Sequence, residues 1–190
     1  MGRWEPETRA RLRLAAIELW QEKGFDETSA AEIADRAGVT ERTFFRHFVD
    51  KREVLFQGQE ELEERFTTGI IEAPAEASAL EVVAFALGRV APFFGQERQP
   101  YSTLRRQIIE ANTPLMEREQ FKMLTLTSAV SKAFRERGVG EPDATLSAHS
   151  ALAIFNVAFT MWTTPDESRT YDELVGVALT SLRQLVASDG

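Results

Sequence analysis

The chain reads as all-α: a three-helix helix-turn-helix head on a larger helical body, about nine helices in all. Three observations lead there. Apolar residues recur at intervals of three and four along almost the whole chain, the period of a helix with one buried face. No stretch of useful length alternates apolar and polar residues as a half-buried strand does. Pro100, Pro114, Pro142 and Pro165 each fall at a helix start or in a break, where a residue lacking an amide proton is tolerated.

The first element is a helix whose buried stripe is Leu12, Ala16, Leu19 and Trp20, and Gly24 ends it. Thr28-Ser29 offers an N-cap, with Glu32 at capping-box distance from Ser29, for a short helix closing at Ala37-Gly38. Thr40 caps the next, with Thr43 three residues on, and Phe44, Phe45 and Phe48 carry it to about Val49. Asp50 caps a long connector helix, about 51–72; Pro74 breaks the chain, and 72–79 is a linker. Further helices are expected near 79–95, 101–112, 114–137, 142–163 and 170–187. Two domains result: a head, 1–50, and a body, 51–190, that includes the connector.

Composition narrows the function classes. The chain has 190 residues, 43% of them hydrophobic, enough for a core. It has no cysteine, which excludes disulfides, thiolate metal sites and cysteine nucleophiles. Its two histidines, His47 and His149, lie far apart and build no zinc site. The glycines form no phosphate-cradling loop, and no Ser/His/acid trio has support from spacing. The run Glu60, Glu61, Glu63, Glu64 reads as a solvated helix face. No enzyme, no cofactor and no metal are expected. Met1–Arg13 is charged and lacks the apolar core of a secretory signal. The longest apolar run, Ala151–Trp162, is interrupted by Asn156 and Thr160 and reads as too short and too polar for a membrane span. A cytoplasmic protein without a membrane partner is the expectation.

The formal net charge of −8 argues at first against nucleic acid. Residues 1–56, however, carry 10 Lys+Arg against 11 Asp+Glu, and the remainder 12 against 19. The acidity therefore sits in the body. Arg36, Arg42, Arg46, Lys51 and Arg52 cluster in the head against Asp35, Glu41 and Asp50, and phosphate contact needs only a local patch.

Residues 29–48 meet the demands of a helix-turn-helix. Gly38 sits at the sharp turn, Ala34 and Ala37 let the helices cross closely, and Ile33, Val39, Phe44 and Phe48 face inward. The second helix displays Glu41, Arg42, Phe45 and Arg46 outward, a mixture that packing alone does not explain. The stretch Gly24–Phe48, continued by Lys51 and Val54-Leu55, resembles the signature of the TetR family of repressors over about residues 9–56. Arg106–Leu115 and the surroundings of Trp162 resemble an acyl-ligand-sensing subgroup. The resemblance implies DNA contacts by Thr28 and Ser29 to a phosphate, by His47 and Lys51 to the backbone, and by Glu41 and Arg42 in the major groove. Thr40, Thr43, Phe45 and Arg46 complete that set. Phe45 stands where the family often has tyrosine, so a hydroxyl-to-phosphate bond is lost. Ala30 replaces a commoner β-branched residue.

In the body, a rotation of about 100° per residue gathers Ala151, Ile154, Ala158, Met161 and Trp162, with Phe155, on one face of helix 142–163. Leu174, Ala178, Leu182 and Leu185 stripe the last helix. Two such helices per chain would make a four-helix interface in a homodimer, as the resemblance implies; burial inside one chain would leave the same pattern. Thr145, His149, Asn156 and Thr160 lie opposite, either solvated or facing a cavity. An apolar pocket of about 300–1,000 Å³ would be walled by Phe94, Phe121, Phe155 and Phe159, with His149 or Asn156 inside and Arg106 at its rim. It would suit an acyl thioester or an aromatic acid. The expected function is a ligand-relieved repressor binding a near-palindromic double-stranded DNA operator as a dimer. The alternatives are a helical small-molecule binding protein without operator binding and a helical enzyme with an unrecognised site.

Overall fold

The computed structural model describes residues 5–187, so the first residues of the charged stretch Met1–Arg13 lie outside the described residues. Among the described residues there are nine α-helices and no strand. They are α1 Glu5–Lys23, α2 Ala30–Arg36, α3 Glu41–His47, α4 Gln59–Glu72, α5 Ala79–Val90, α6 Gln99–Glu110, α7 Thr113–Glu136, α8 Asp143–Trp162 and α9 Tyr171–Ala187. The all-α class and the order of elements are as the apolar spacing requires.

The connector differs from expectation. Asp50 does cap it, accepting from the Arg52 and Glu53 amides, but Lys51–Phe56 is a short 3₁₀ helix. Gln57 is extended and Gly58 takes φ +83°, so α4 starts afresh at Gln59. Glycine is required at 58 twice over: the conformation is left-handed, and a Cβ there would lie 2.9 Å from the Phe93 ring.

The chain forms two compact units, and they do not divide at residue 50. One holds the described residues up to 57 together with 104–119; the other holds 58–103 and the described residues from 120 onward. Arginines explain why the segment 104–119 joins the first. Arg105 Nε donates to Leu55 O at 2.6 Å, and its two terminal nitrogens bind Glu119 at 3.1 and 2.6 Å. Its guanidinium also lies over Phe56, 5.4 Å from the ring centre. Arg118 donates to Glu53 at 2.7 and 3.0 Å. The 3₁₀ helix is thus gripped by residues some fifty to sixty-five positions further on.

In the first unit Leu12, Trp20, Ile33, Phe44 and Leu55 are buried around the helix-turn-helix. In the second, one core joins the inner faces of α4, α5, α7, α8 and α9. α8 corrects one expectation: at 20 residues it is long and apolar enough, by length and composition, to cross a membrane. Its apolar side instead enters this core, where Ala144, Ala148, Ala151, Ala158 and Trp162 are fully buried.

The C-terminus of α4 is closed by a cation from beyond α7. Arg137 donates to the carbonyls of Ile70, Ile71, Ala73 and Pro74, the groups a helix end leaves without partners. Arg137→Leu is expected to cost about 1.5–3 kcal/mol, the range for hydrogen bonds to a charged group. Calorimetry should show a melting temperature lower by about 3–12 °C; an unchanged melting point would mean water replaces the guanidinium at no cost.

Candidate nucleic-acid interface

The head is built from its caps upward. Ser29 is extended and closes a complete capping box: its Oγ accepts from the Glu32 amide, and Glu32 accepts from the Ser29 amide. Hydrogen bonds from Lys23 and from Ser29 hold the Glu32 carboxyl down to about 2, so the cap is charged at neutral pH. Thr40 caps α3 through the Thr43 amide, and the two hydroxyls lie 2.9 Å apart. Between the helices Gly38 takes φ +67°, while Val39 N bonds Ala34 O at 2.9 Å and turns the chain. Phe44 and Phe48 pack beneath α3, their ring centres 5.4 Å apart.

The outer surface of α3 carries Glu41, Arg42, Phe45 and Arg46, all exposed. Phe45 leaves 51% of its surface open, with its ring edge-on to Phe44. Thr43 and His47 are half-buried. Arg9, from α1, donates to His47 O at 3.4 Å and lies over Phe48. Nothing local in the sequence marked Arg9 for this supporting place.

The five-cation patch expected in the head contracts. Arg36 is engaged by Glu22 at 2.7 and 2.9 Å and by Glu18. Arg52 is bound to Asp50. Lys51 turns inward, donating to the carbonyls of Phe25, Asp26 and Thr28. Thr28 is likewise turned in: it is 1% exposed, and its hydroxyl donates to Gly24 O at 2.8 Å. Only Arg42 and Arg46 of the five make no hydrogen bond or ion pair among the described residues. These two present free guanidinium forks on one short helix, the geometry that can pair bidentately with a guanine edge or a phosphate.

The body residues fall into three groups. Phe94, Phe155 and Phe159 come together, with ring centres 5.6–6.2 Å apart. Trp162 and Tyr171 join them, which the sequence pattern hid because it placed Trp162 against a partner chain. Trp162 Nε1 is buried there without an acceptor among the described residues, and burial pushes the Tyr171 hydroxyl up. His149, Asn156 and Phe121 do not join this cluster: all three are exposed. Arg106 belongs to the head-containing unit, where it pairs with Glu110 at 2.7 Å.

The face expected to hold the dimer together is corrected most. Ala151, Ile154, Ala158, Trp162, Leu174 and Ala178 are buried in their own chain's core. Met161 and Leu182 are partly buried against it, and Leu185 is exposed. The open face of α8 is the other one, with Leu146, His149, Ala153, Asn156, Val157 and Thr160 at helical spacing. On α9 the open face carries Gly176, Val177, Thr180, Ser181 and Gln184. A rule could have chosen between the faces: the richer apolar stripe goes to the core, and the mixed stripe of small residues stays outside.

Known proteins resemble the chain in sequence over the head and in fold over nearly its whole length. Residues 12–57 match the profile of bacterial regulatory proteins, tetR family. The HTH-type transcriptional regulator TcmR of Streptomyces glaucescens is 36% identical over 87 residues, which are 44% of this chain and 38% of that protein. The chain thus matches less than half the length of that curated relative. FadR of Thermus thermophilus, a TetR-family transcriptional repressor solved with lauroyl-CoA, is 24% identical over 94% of this chain and 93% of its own, with a TM-score of 0.53. The transcriptional regulator FadR of Bacillus subtilis, solved with stearoyl-CoA, is 19% identical over 91% and 96%, with a TM-score of 0.60. At these identities the two structures speak for the shared helical fold.

Proposed function

We propose that the chain is a member of the TetR family of bacterial regulatory proteins, whose profile its residues 12–57 match, and that it is a DNA-binding transcriptional repressor relieved by a small ligand. The observation that carries the reading is the outer face of α3, where Arg42 and Arg46 stand exposed beside Glu41 and Phe45, with no partner among the described residues. Ser29, Thr40, Thr43 and His47 flank it as positions for backbone contact. Two heads are needed for a near-palindromic operator. A second copy is therefore assigned to the open face of α8 and α9, where Leu146, Val157 and Leu185 leave 49–72% of their surface bare. Regulation of transcription places the protein in the cytoplasm, and the reading gives it no catalytic step.

The effector is assigned to the ring cluster of Phe94, Phe155, Phe159, Trp162 and Tyr171. Acyl-CoA complexes of two fold relatives support an acyl ligand, and the orphaned Trp162 N–H favours one with an acceptor oxygen. Relief of repression requires that the ligand prefer the conformation unfit for DNA, since equal affinity for both shifts nothing.

The test is a gel shift of the full chain against duplexes from the intergenic DNA flanking its gene, at low salt, with stearoyl-CoA added to the shifted complex. A shift reversed by the thioester supports both parts. No shift with any fragment removes the repressor reading and leaves a ligand-binding protein.

A further inference from the structure

We propose that Lys51 is a positioning residue of the DNA-reading head: it ties down the loop that delivers α2, and through α2 sets α3, instead of touching a phosphate. The inference rests on the functional reading of the head.

An ammonium group has three protons to donate, and each finds a backbone carbonyl: Phe25 O at 2.8 Å, Asp26 O at 3.2 Å and Thr28 O at 2.8 Å. The same charge lies 4.5 Å from the centre of the Phe25 ring, a cation–π contact. A side chain whose three donors point into one loop has none left for a phosphate oxygen. Among the described residues little else holds the loop. Thr28 N reaches Phe25 O at 3.3 Å, and the Thr28 hydroxyl reaches Gly24 O. Phe25 is anchored by its ring, 5.4 Å from that of Trp20.

The clamp matters because the loop runs straight into the reading unit. Its next residue is Ser29, whose capping box starts α2. The bond from Val39 N to Ala34 O and the Gly38 turn then carry the chain from α2 into α3. Lys51 comes from the far end of this stretch, as the first residue of the 3₁₀ helix that Asp50 caps. Its bonds span 23 to 26 residues and enclose α2, the turn and α3 entire. One cation therefore closes a ring around the reading unit. The angle at which Arg42 and Arg46 are presented depends on that closure.

The test uses the full chain. Lys51→Met keeps an aliphatic stem against Phe25 and removes the donors; Lys51→Arg restores them. Without DNA, amide hydrogen exchange should show lost protection at residues 25–33 and in α3 of the Met variant, regained in the Arg variant, with α8 unaffected. With operator DNA, the Met variant should bind about tenfold more weakly, as for one lost charge-assisted contact set. The slope of log K against log salt should not change, because no phosphate contact is removed. Circular dichroism at the assay temperature confirms that the loss is not unfolding. A slope reduced by about one unit with protection intact overturns the proposal and returns Lys51 to the phosphate backbone; so does a variant with neither readout altered. If Lys51→Met does not fold, Lys51→Gln carries the same two readouts. If the wild-type chain binds no duplex, the functional reading falls, and the exchange arm alone decides whether the clamp exists.

Discussion

Ala158→Arg is expected to unfold the body, whereas Val157→Arg next to it is expected to leave the body folded and monomeric. Ala158 is fully buried among the side chains of its own core, so a guanidinium there has neither water nor a carboxylate. An uncompensated buried charge costs about 3–5 kcal/mol, a large share of the stability of a domain this size. Val157 is one residue away and 49% exposed, on the open face of α8. In a two-fold contact each substitution occurs twice, and central positions cost about 2 kcal/mol or more each. Thermal melts and light scattering on both variants separate the outcomes. A melting curve unmoved by Ala158→Arg would contradict the core packing. A dimer unmoved by Val157→Arg would place the partner on another face.

Arg42→Ala is expected to relax sequence discrimination by about 1–3 kcal/mol at one base pair, the value of a lost bidentate contact to guanine. The variant should still bind non-specific duplex, because Arg46 remains and the phosphate contacts are untouched. Competition between the operator and single-base variants measures this directly. Equal weakening for every sequence would assign Arg42 to the backbone and leave base reading to Glu41 or Arg46. The contrast expected with Lys51 is sharp: the arginine variant should alter preference, and the lysine variant affinity with no change in salt dependence.

Local order was legible in the sequence wherever its cause is local. Ser29 with Glu32, Thr40 with Thr43, and Gly38 at the turn are each decided by residues within a few positions, and each sits where the spacing puts it. The connector escaped because Gly58 reads as a tolerated glycine inside a helix until the Phe93 ring is seen beside it. Charge was harder. Arg36 and Arg42 look alike in a sequence, but Glu22 lies one helix away from Arg36, and no carboxylate among the described residues meets Arg42. The resemblance marked Lys51 for a DNA contact, but its carbonyl partners could not be read, since they are main-chain oxygens that every residue has. The two faces of α8 were both visible; what the spacing lacked was which face turns inward. Phe94, Phe155 and Phe159 were found as a group because bulky rings have few places to go, while the polar partners His149 and Asn156 were drawn in with them only by proximity along the helix.

The grip of Arg105 and Arg118 on the 3₁₀ helix bears on how such proteins can be recombined. A cut after residue 57 looks natural, since the helix-turn-helix is complete there. It would strip Leu55 O of its donor, Phe56 of its covering guanidinium and Glu53 of its counter-ion. The chain passes between the two units three times, at 57/58, 103/104 and 119/120. A chimera that grafts this head onto a foreign body therefore has to bring residues 104–119 along, or supply a segment with cations at the same two positions. The inheritable module is a discontinuous one, and its two pieces are free to vary only together.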